Sequence, residues 1–201
     1  MLYLIRHGQA EGNAQRRIMG QLDQPLTALG RSQAEALARW FSERDSGPLQ
    51  VYASDLARAV ETAAPLAAAR GGRPLRLRPD LRELGRGVLE GRTLEEAAEM
   101  RGLPGVPESF EPEPEVARRI GRVGSELRAA SLEGEVAAVA HGGSIGRLLR
   151  LYLGLPVGQG DGPRFRLENT GLTILDFGRG ATEILCVNAL CHLAAAGHPG
   201  R

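Results

Sequence analysis

Residues 4–13 read LIRHGQAEGN, and this stretch decides how the rest of the chain is read. The apolar run Leu2–Ile5 breaks off into Arg6, His7 and Gly8. A short apolar run of this kind fits a strand. Gly8 then marks a turn where backbone can come close to a neighbour. His7 is either part of that turn or part of a chemical site, and the difference rests on what other segments bring to the same place.

The pattern recurs. A β-rich run at Gln50–Ala53 leads into Ser54-Asp55-Leu56-Ala57-Arg58. Leu75–Leu77 leads into a loop with Asp80, Arg82 and Glu83, and Val136–Ala140 leads into His141-Gly142-Gly143. Two further runs lie at Leu172–Phe177 and Glu183–Val187. Apolar spacing predicts helices over Thr27–Phe41, Asp55–Arg70, Thr93–Met100, Glu115–Leu132 and Ser144–Leu153. Thr27 is placed to cap the first of these, and Ser54 and Asp55 to cap the one that carries Arg58. Strands alternating with helices predict an α/β fold, a three-layer α/β/α sandwich with a mostly parallel central sheet. Ligands of such sheets bind beyond the carboxyl ends of the strands. The strand ends of this chain deliver two histidines, several arginines and a carboxylate to that edge.

Composition sets the outer limits. The chain has 201 residues, which fits one domain over 1–201, with residues 83–115 as a loop or cap region over the site. The formal net charge is +1, so no generally basic surface for nucleic acid or membrane is indicated. Aromatics are only 4% of residues, too few for broad stacking on bases or sugars. The chain contains no lysine, so most of its arginines read as solvated surface. The spacing of Cys186 and Cys191 fits neither a redox pair nor a zinc site, and two buried reduced thiols are expected. The apolar run near Met1 is too short for a leader or a span, so a cytoplasmic location is expected. The oligomeric state is open and a homodimer is compatible with it. The Pro- and Glu-rich segment Gly102–Glu115 cannot be regular throughout, and is either a surface loop or a roof over the site.

Two histidines with two arginines suit a phosphate ester. Arginine presents a planar fork to two oxygens at once, and glycines beside it let backbone N–H groups approach. A neutral histidine can attack phosphorus; nearby arginines favour that neutral form. A second histidine, protonated, can bind oxygens whose charge grows in the transition state, and a carboxylic acid can protonate the leaving oxygen. Phosphoryl transfer through a covalent phosphohistidine is the chemistry this inventory fits.

The ordered motifs resemble the histidine phosphatase superfamily, the phosphoglycerate mutase-like fold. They are Arg6-His7-Gly8 with Asn13 and Gly20, DQPLTALGRSQA at 23–34, SDLARAVETA at 54–63, LRELGRGVLEG at 81–91 and AHGGSIGRLL at 140–149. PES at 107–109, NTGLTIL at 169–175 and NALCHL at 188–193 extend the likeness over nearly the whole chain. The resemblance implies His7 as the phosphate-accepting nucleophile, with Arg6, Arg58 and His141 completing the phosphate pocket. It implies Glu83 as proton donor to the leaving group and then as base for water. Asn13 and the Gly142 N–H would assist binding, and Gly20 would line the entrance. It implies no metal, no organic cofactor, and a small phosphorylated metabolite as substrate.

The chain also departs from that pattern. Relatives carry an aromatic pair where this chain has Arg86-Gly87-Val88-Leu89-Glu90-Gly91, and a hydroxyl and a tryptophan where it has Ala10 and Gly12. Arg86 either adds positive charge near the substrate or is solvated. Mutases of the family have a long insertion between the positions of Glu83 and His141. Here the segment is short and includes the acidic ESFEPEPE at 108–115, which points to a phosphatase, with a cofactor-dependent phosphoglycerate mutase as the alternative. Two minor readings remain. Gly142-Gly143-Ser144-Ile145-Gly146 fits the G-x-S-x-G elbow of a serine esterase, with Asp176 and His192 in chain order. A non-catalytic phosphate-ester-binding protein could also use the fold. His192 and His198 are expected to be structural or tail residues.

Overall fold

Strand β1 (Leu2–Arg6) lies inside a six-stranded sheet, and that central place explains its unbroken apolar run. In the computed structural model, which describes residues 1–44, 47–158, 163–178 and 180–195, β1 is followed by α1 (Glu11–Ala14), α2 (Ala28–Ser42), β2 (Leu49–Ala53), α3 (Ala57–Ala69) and β3 (Arg76–Leu77). Then come α4 (Leu94–Met100), α5 (Glu113–Glu133), β4 (Glu135–Ala140), α6 (Gly142–Tyr152), β5 (Leu172–Asp176), β6 (Glu183–Ala189) and α7 (Cys191–Ala195). The sheet order is β3-β2-β4-β1-β5-β6. Pairings among β3, β2, β4 and β1 are parallel, while β5 runs antiparallel to both of its neighbours.

The alternation of side chains along β1 divides the interior into two layers. Leu2 and Leu4 join Val136, Ala138 and Ala140 of β4 against Val116, Ile120, Val123 and Leu127 of α5 and Ile145, Leu148 and Leu149 of α6. Tyr3 and Ile5 face the other way, with Val51, Ala137 and Val139, against Leu37 and Phe41 of α2 and Ala59, Ala63 and Leu66 of α3. This is the expected three-layer α/β/α arrangement around a mostly parallel sheet.

The four parallel strands end on one edge. Hydrogen bonds continue past their ends, from His7 N to Ala140 O (2.9 Å), Ser54 N to Val139 O (3.0 Å) and Arg78 N to Ala53 O (2.8 Å). The residues after the strands are therefore held as firmly as the strands themselves.

Helix starts differ from the sequence reading in informative ways. Thr27 caps α2 as expected, its side chain accepting from Gly30 N, and Thr93 forms a capping box with Glu96. Ser54 and Asp55 do not cap α3. Asp55 is held in a two-pronged pair with Arg82 (2.7 and 2.6 Å), and Ala57 N donates instead to Asp23 Oδ1 at 2.7 Å. The cap comes from 34 residues away, which no local pattern reveals. Helix α6 begins two residues before the expected Ser144, so His141 becomes its N-cap residue and the amides of Gly142 and Gly143 lie in its first turn. The cysteines also differ. Both are free, but Cys186 is half-buried on edge strand β6 and Cys191 is exposed at the start of α7. His198 lies outside the described residues.

Gly8 and Gly30 bring the histidine turn against α2. A side chain at Gly8 would stand 2.6 Å from Gly30 O, and one at Gly30 would collide with Gln9 O, backbone in each case. An alanine within a helix is ordinarily about 1 kcal/mol better than glycine. Gly30→Ala is expected to reverse that sign and cost about 1–3 kcal/mol through overpacking. Thermal unfolding of the variant measures it.

Candidate active site

The edge where β1, β2, β3 and β4 end contains a cavity of about 230 Å³. Arg6, His7, Asn13, Gly20, Arg58, Glu83 and Gly142 all line it, and His141 lies fully buried beside His7 with ring centroids 5.1 Å apart. Four strand ends and the turn after β1 thus converge as the sequence suggested. Arg17, Ile18, Met19, Arg86 and Gly143 complete the wall. A wider depression of about 500 Å³ lies at the opposite edge, near Met1, Gln50, Glu135 and Asp176, and its lining includes no histidine.

The two imidazoles are held in opposite tautomers. His7 Nδ1 lies 2.7 Å from Gly8 O. A carbonyl only accepts, so Nδ1 carries the hydrogen and Nε2 keeps its lone pair. Arg58 Nε donates to His141 Nδ1 at 3.2 Å. A guanidinium only donates, so the hydrogen of neutral His141 sits on Nε2. That Nε2 is buried and has no partner among the described residues. Burial, then the charges of Arg6 and Arg58, hold His7 well below the usual histidine range. Burial, then His7, Arg58 and Arg6, do the same to His141. The site therefore presents one ring nitrogen with a free lone pair and one ring N–H.

The arginines are fixed by carbonyls. Arg58, 1% exposed, donates from Nη2 to Gly20 O and from Nη1 to Leu22 O, both at 2.8 Å. Gly20 does more than line an entrance, since its carbonyl aims the arginine. Its φ of +49° and the Glu90 carboxylate lying where a side chain would stand leave room only for glycine. Arg6 Nη1 donates to Leu167 O at 2.5 Å, and its buried Nε has no partner among the described residues. Asn13 Oδ1 accepts from Ala10 N (3.0 Å) and Asn169 Nδ2 (3.4 Å), which leaves its amide nitrogen as the remaining donor. Glu83 is pinned to the first turn of α6, where Oε2 accepts from Gly143 N at 2.9 Å.

The histidine phosphatase superfamily (branch 1) matches residues 2–190. The chain belongs to this superfamily. It is 36% identical over 186 residues to "Probable phosphoglycerate mutase GpmB" of Proteus mirabilis, a match that covers 88% of this chain and 84% of that one. Mycobacterial glucosyl-3-phosphoglycerate phosphatase is 32% identical with a TM-score of 0.73, over 94% of this chain and 98% of that one. YhfR of Bacillus stearothermophilus superposes with a TM-score of 0.78 at 26% identity, over 96% and 98% of the two chains. Phosphatases thus stand among the structural neighbours, and the chain is an enzyme of this superfamily.

Within this superfamily member the esterase arrangement is not assembled. Ser144 is fully buried and its hydroxyl donates to Arg82 O at 2.5 Å. His192 instead meets Thr170 Oγ1 at 2.9 Å. That contact steadies a non-glycine residue at φ +56°, whose amide donates to Arg6 O at 2.9 Å. His192 is structural, as expected.

Sequence reasoning missed the shell behind the site. Thr62 Oγ1 accepts from Gly8 N (2.9 Å) and donates to Arg58 O (2.7 Å), and Asn169 Nδ2 donates to His7 O (2.9 Å). Arg119 is the larger omission. It is 7% exposed and donates to Asp80 O (2.9 Å), Arg82 O (2.7 Å), Glu83 O (3.3 Å) and both oxygens of Glu111 (2.7 and 2.8 Å). Glu111 in turn accepts from Gly85 N at 3.1 Å. One arginine therefore straps the loop that carries Glu83 from both sides. Its signal was the helical phase of Val116, Arg119, Ile120 and Val123, which puts a charge on the buried stripe.

Arg119→Leu is expected to cost about 3–5 kcal/mol, because it leaves Glu111 buried without its partner. Urea unfolding of the variant measures the loss. The depressed histidines set a pH dependence. Below about pH 6.5 an unfolded histidine takes up a proton, while the folded His7 and His141 remain neutral to lower pH. The unfolded state then binds more protons, so stability is expected to fall as pH drops from about 6.5 toward 5. His141→Asn should make that fall shallower in urea titrations; an unchanged slope would remove the assignment.

Proposed function

We propose that this protein is a metal-independent phosphomonoester hydrolase that works on a small phosphorylated metabolite through a phosphohistidine. The observation that carries the reading is His7 Nε2, a neutral ring nitrogen with its lone pair free, in a cavity with Arg6 and Arg58. The lone pair attacks phosphorus and the bond to the leaving oxygen breaks. Glu83, as the carboxylic acid, gives that oxygen its proton, and the alcohol departs. Glu83, now the carboxylate, takes a proton from water while the water oxygen attacks phosphorus. His7 leaves with its electron pair, phosphate is released, and Glu83 is again protonated.

Arg6 and Arg58 take the non-bridging oxygens, and the His141 Nε2–H, the Asn13 amide and the Gly142 N–H supply further donors. These groups change little on binding because carbonyls and side chains already hold them. Residues 83–115 serve as a cap. Two of their acidic side chains are tied back to helices, Glu111 to Arg119 and Glu113 to Arg147, so this end of the segment acts as a buttress. Among the described residues no helix is long and apolar enough to cross a membrane, and both cysteines are free. Free thiols support a cytoplasmic setting.

A phosphoglycerate mutase is the second reading, favoured by the 36% identity to proteins named as such. It differs only in the acceptor, a substrate hydroxyl in place of water. His7→Ala is expected to abolish phosphate release from an aryl phosphate, and vanadate is expected to inhibit the wild type. Near-normal turnover by the variant would reject the phosphohistidine step. Mutase activity on 3-phosphoglycerate, assayed alongside, separates the two acceptors: isomerisation outrunning phosphate release would favour the mutase.

A further inference from the structure

A general acid must sit within hydrogen-bond reach of the leaving oxygen, and a misplacement of about 1 Å can cost on the order of a hundredfold in rate. Glu83 nevertheless stands on a loop, since residues 83–86 form neither helix nor strand. Its Oε1 accepts from the amide of its own neighbour Leu84 (2.9 Å), a bond that moves with the loop. Its Oε2 accepts from Gly143 N at 2.9 Å, in the first turn of α6. The fit there is close, because a side chain at Gly143 would collide with Leu84 and with the Glu83 carboxylate.

Ser144 adds a second attachment on the same turn. It is fully buried, and its hydroxyl donates to Arg82 O, the carbonyl of the peptide that leads into Glu83. Arg119 Nη1 donates to the same oxygen from α5 at 2.7 Å, so both lone pairs of that carbonyl are taken, one from each helix. A hydroxyl on a helix commonly turns back to a carbonyl of its own helix. Ser42, Ser125 and Ser131 do so, to Arg39 O, Gly121 O and Arg128 O. Ser144 instead reaches a carbonyl 62 residues earlier in the chain.

We infer that Ser144 is a positioning residue for the acid. Its hydroxyl fixes the Arg82–Glu83 peptide while the neighbouring Gly143 N–H fixes the Glu83 carboxyl. Both halves of the site are then built on one helix start. His141 and Gly142 serve the phosphate, Gly143 takes the carboxyl of the acid, and Ser144 takes its backbone. The serine in Gly142-Gly143-Ser144-Ile145-Gly146 thus serves the reaction without touching the substrate. The inference rests on the reading of Glu83 as proton donor to the leaving group.

The experiment compares two esters that share a ring and differ in their need for that proton, phenyl phosphate and 2,4-dinitrophenyl phosphate. Phenoxide is about as basic as a tyrosine side chain and leaves with the help of an acid, whereas dinitrophenoxide is weakly basic and leaves without it. The quantity read is kcat/KM, which covers the steps up to departure of the alcohol and precedes the attack of water. In Ser144→Ala it is expected to fall about tenfold for phenyl phosphate and to stay within about twofold of wild type for the dinitrophenyl ester. The second ester also reports that the variant is folded. Glu83→Gln is expected to show the same split more strongly. Adding Ser144→Ala to Glu83→Gln should cost nothing more on phenyl phosphate, because the serine acts only through the acid. Equal falls on the two esters, no fall on either, or additive losses in the double variant overturn the inference. If Glu83→Gln shows the split and Ser144→Ala does not, the acid reading stands and the inference alone fails. If Glu83→Gln shows no split, the acid reading fails and the inference falls with it.

Discussion

The bond from Arg58 Nε to His141 Nδ1 is the constraint on which the rest of the site depends. It joins α3 to the end of β4 across the sheet edge and fixes the tautomer of the buried imidazole. The same guanidinium holds the carbonyls of Gly20 and Leu22, so the segment after α1 is tied to it as well. Thr62, one turn further along α3, takes the amide of Gly8 and so reaches the His7 turn. This pair of side chains, Arg58 and Thr62, thus sets the relative positions of both histidines and one wall of the cavity. It can do so because four parallel strands end at the same level, and the sheet brings its partners within reach.

A second layer of fixed groups stands behind the first. Arg119 and Glu111 clamp the Glu83 loop, and Asp55 with Arg82 ties that loop to the start of α3. The Arg119–Glu111 clamp is largely removed from water, so breaking it leaves charge and carbonyls without partners and is costly, whereas the Arg82–Asp55 pair is more exposed and weaker. The rigidity serves the chemistry directly. Donors that are already oriented need no rearrangement when charge builds on a transferring group.

Much of this was legible in the sequence, and the limits have physical causes. The strand ends and their reactive residues could be read because periodicity and glycine turns are local. The phases of α2 and α5 were equally local. Asp23 as the cap of α3, and Arg119 as the strap of the acid loop, could not be read in the same way. Each acts on a segment tens of residues away, and only the folded chain brings the pair together. The cysteines were misread for a related reason: composition says that thiols are usually buried, but edge strands and short terminal helices leave them half-covered or exposed. Arg86 was legible only as a departure from a pattern, since its place on the cavity wall is a property of the folded chain.

The reversed direction of β5 has a consequence for how the molecule comes together. An antiparallel strand brings its beginning, not its end, to the site edge. Asn169 and Thr170 therefore close around the His7 turn, and Asn169 bonds to a carbonyl 162 residues earlier in the chain. Contacts of such separation form late, because the loop must be closed before they stabilise anything. During synthesis His7 emerges first, yet its turn is clamped only after β5 has been made. A chain that stops short of β5 carries His7 without the strand that seats Asn169 and Thr170 around its turn.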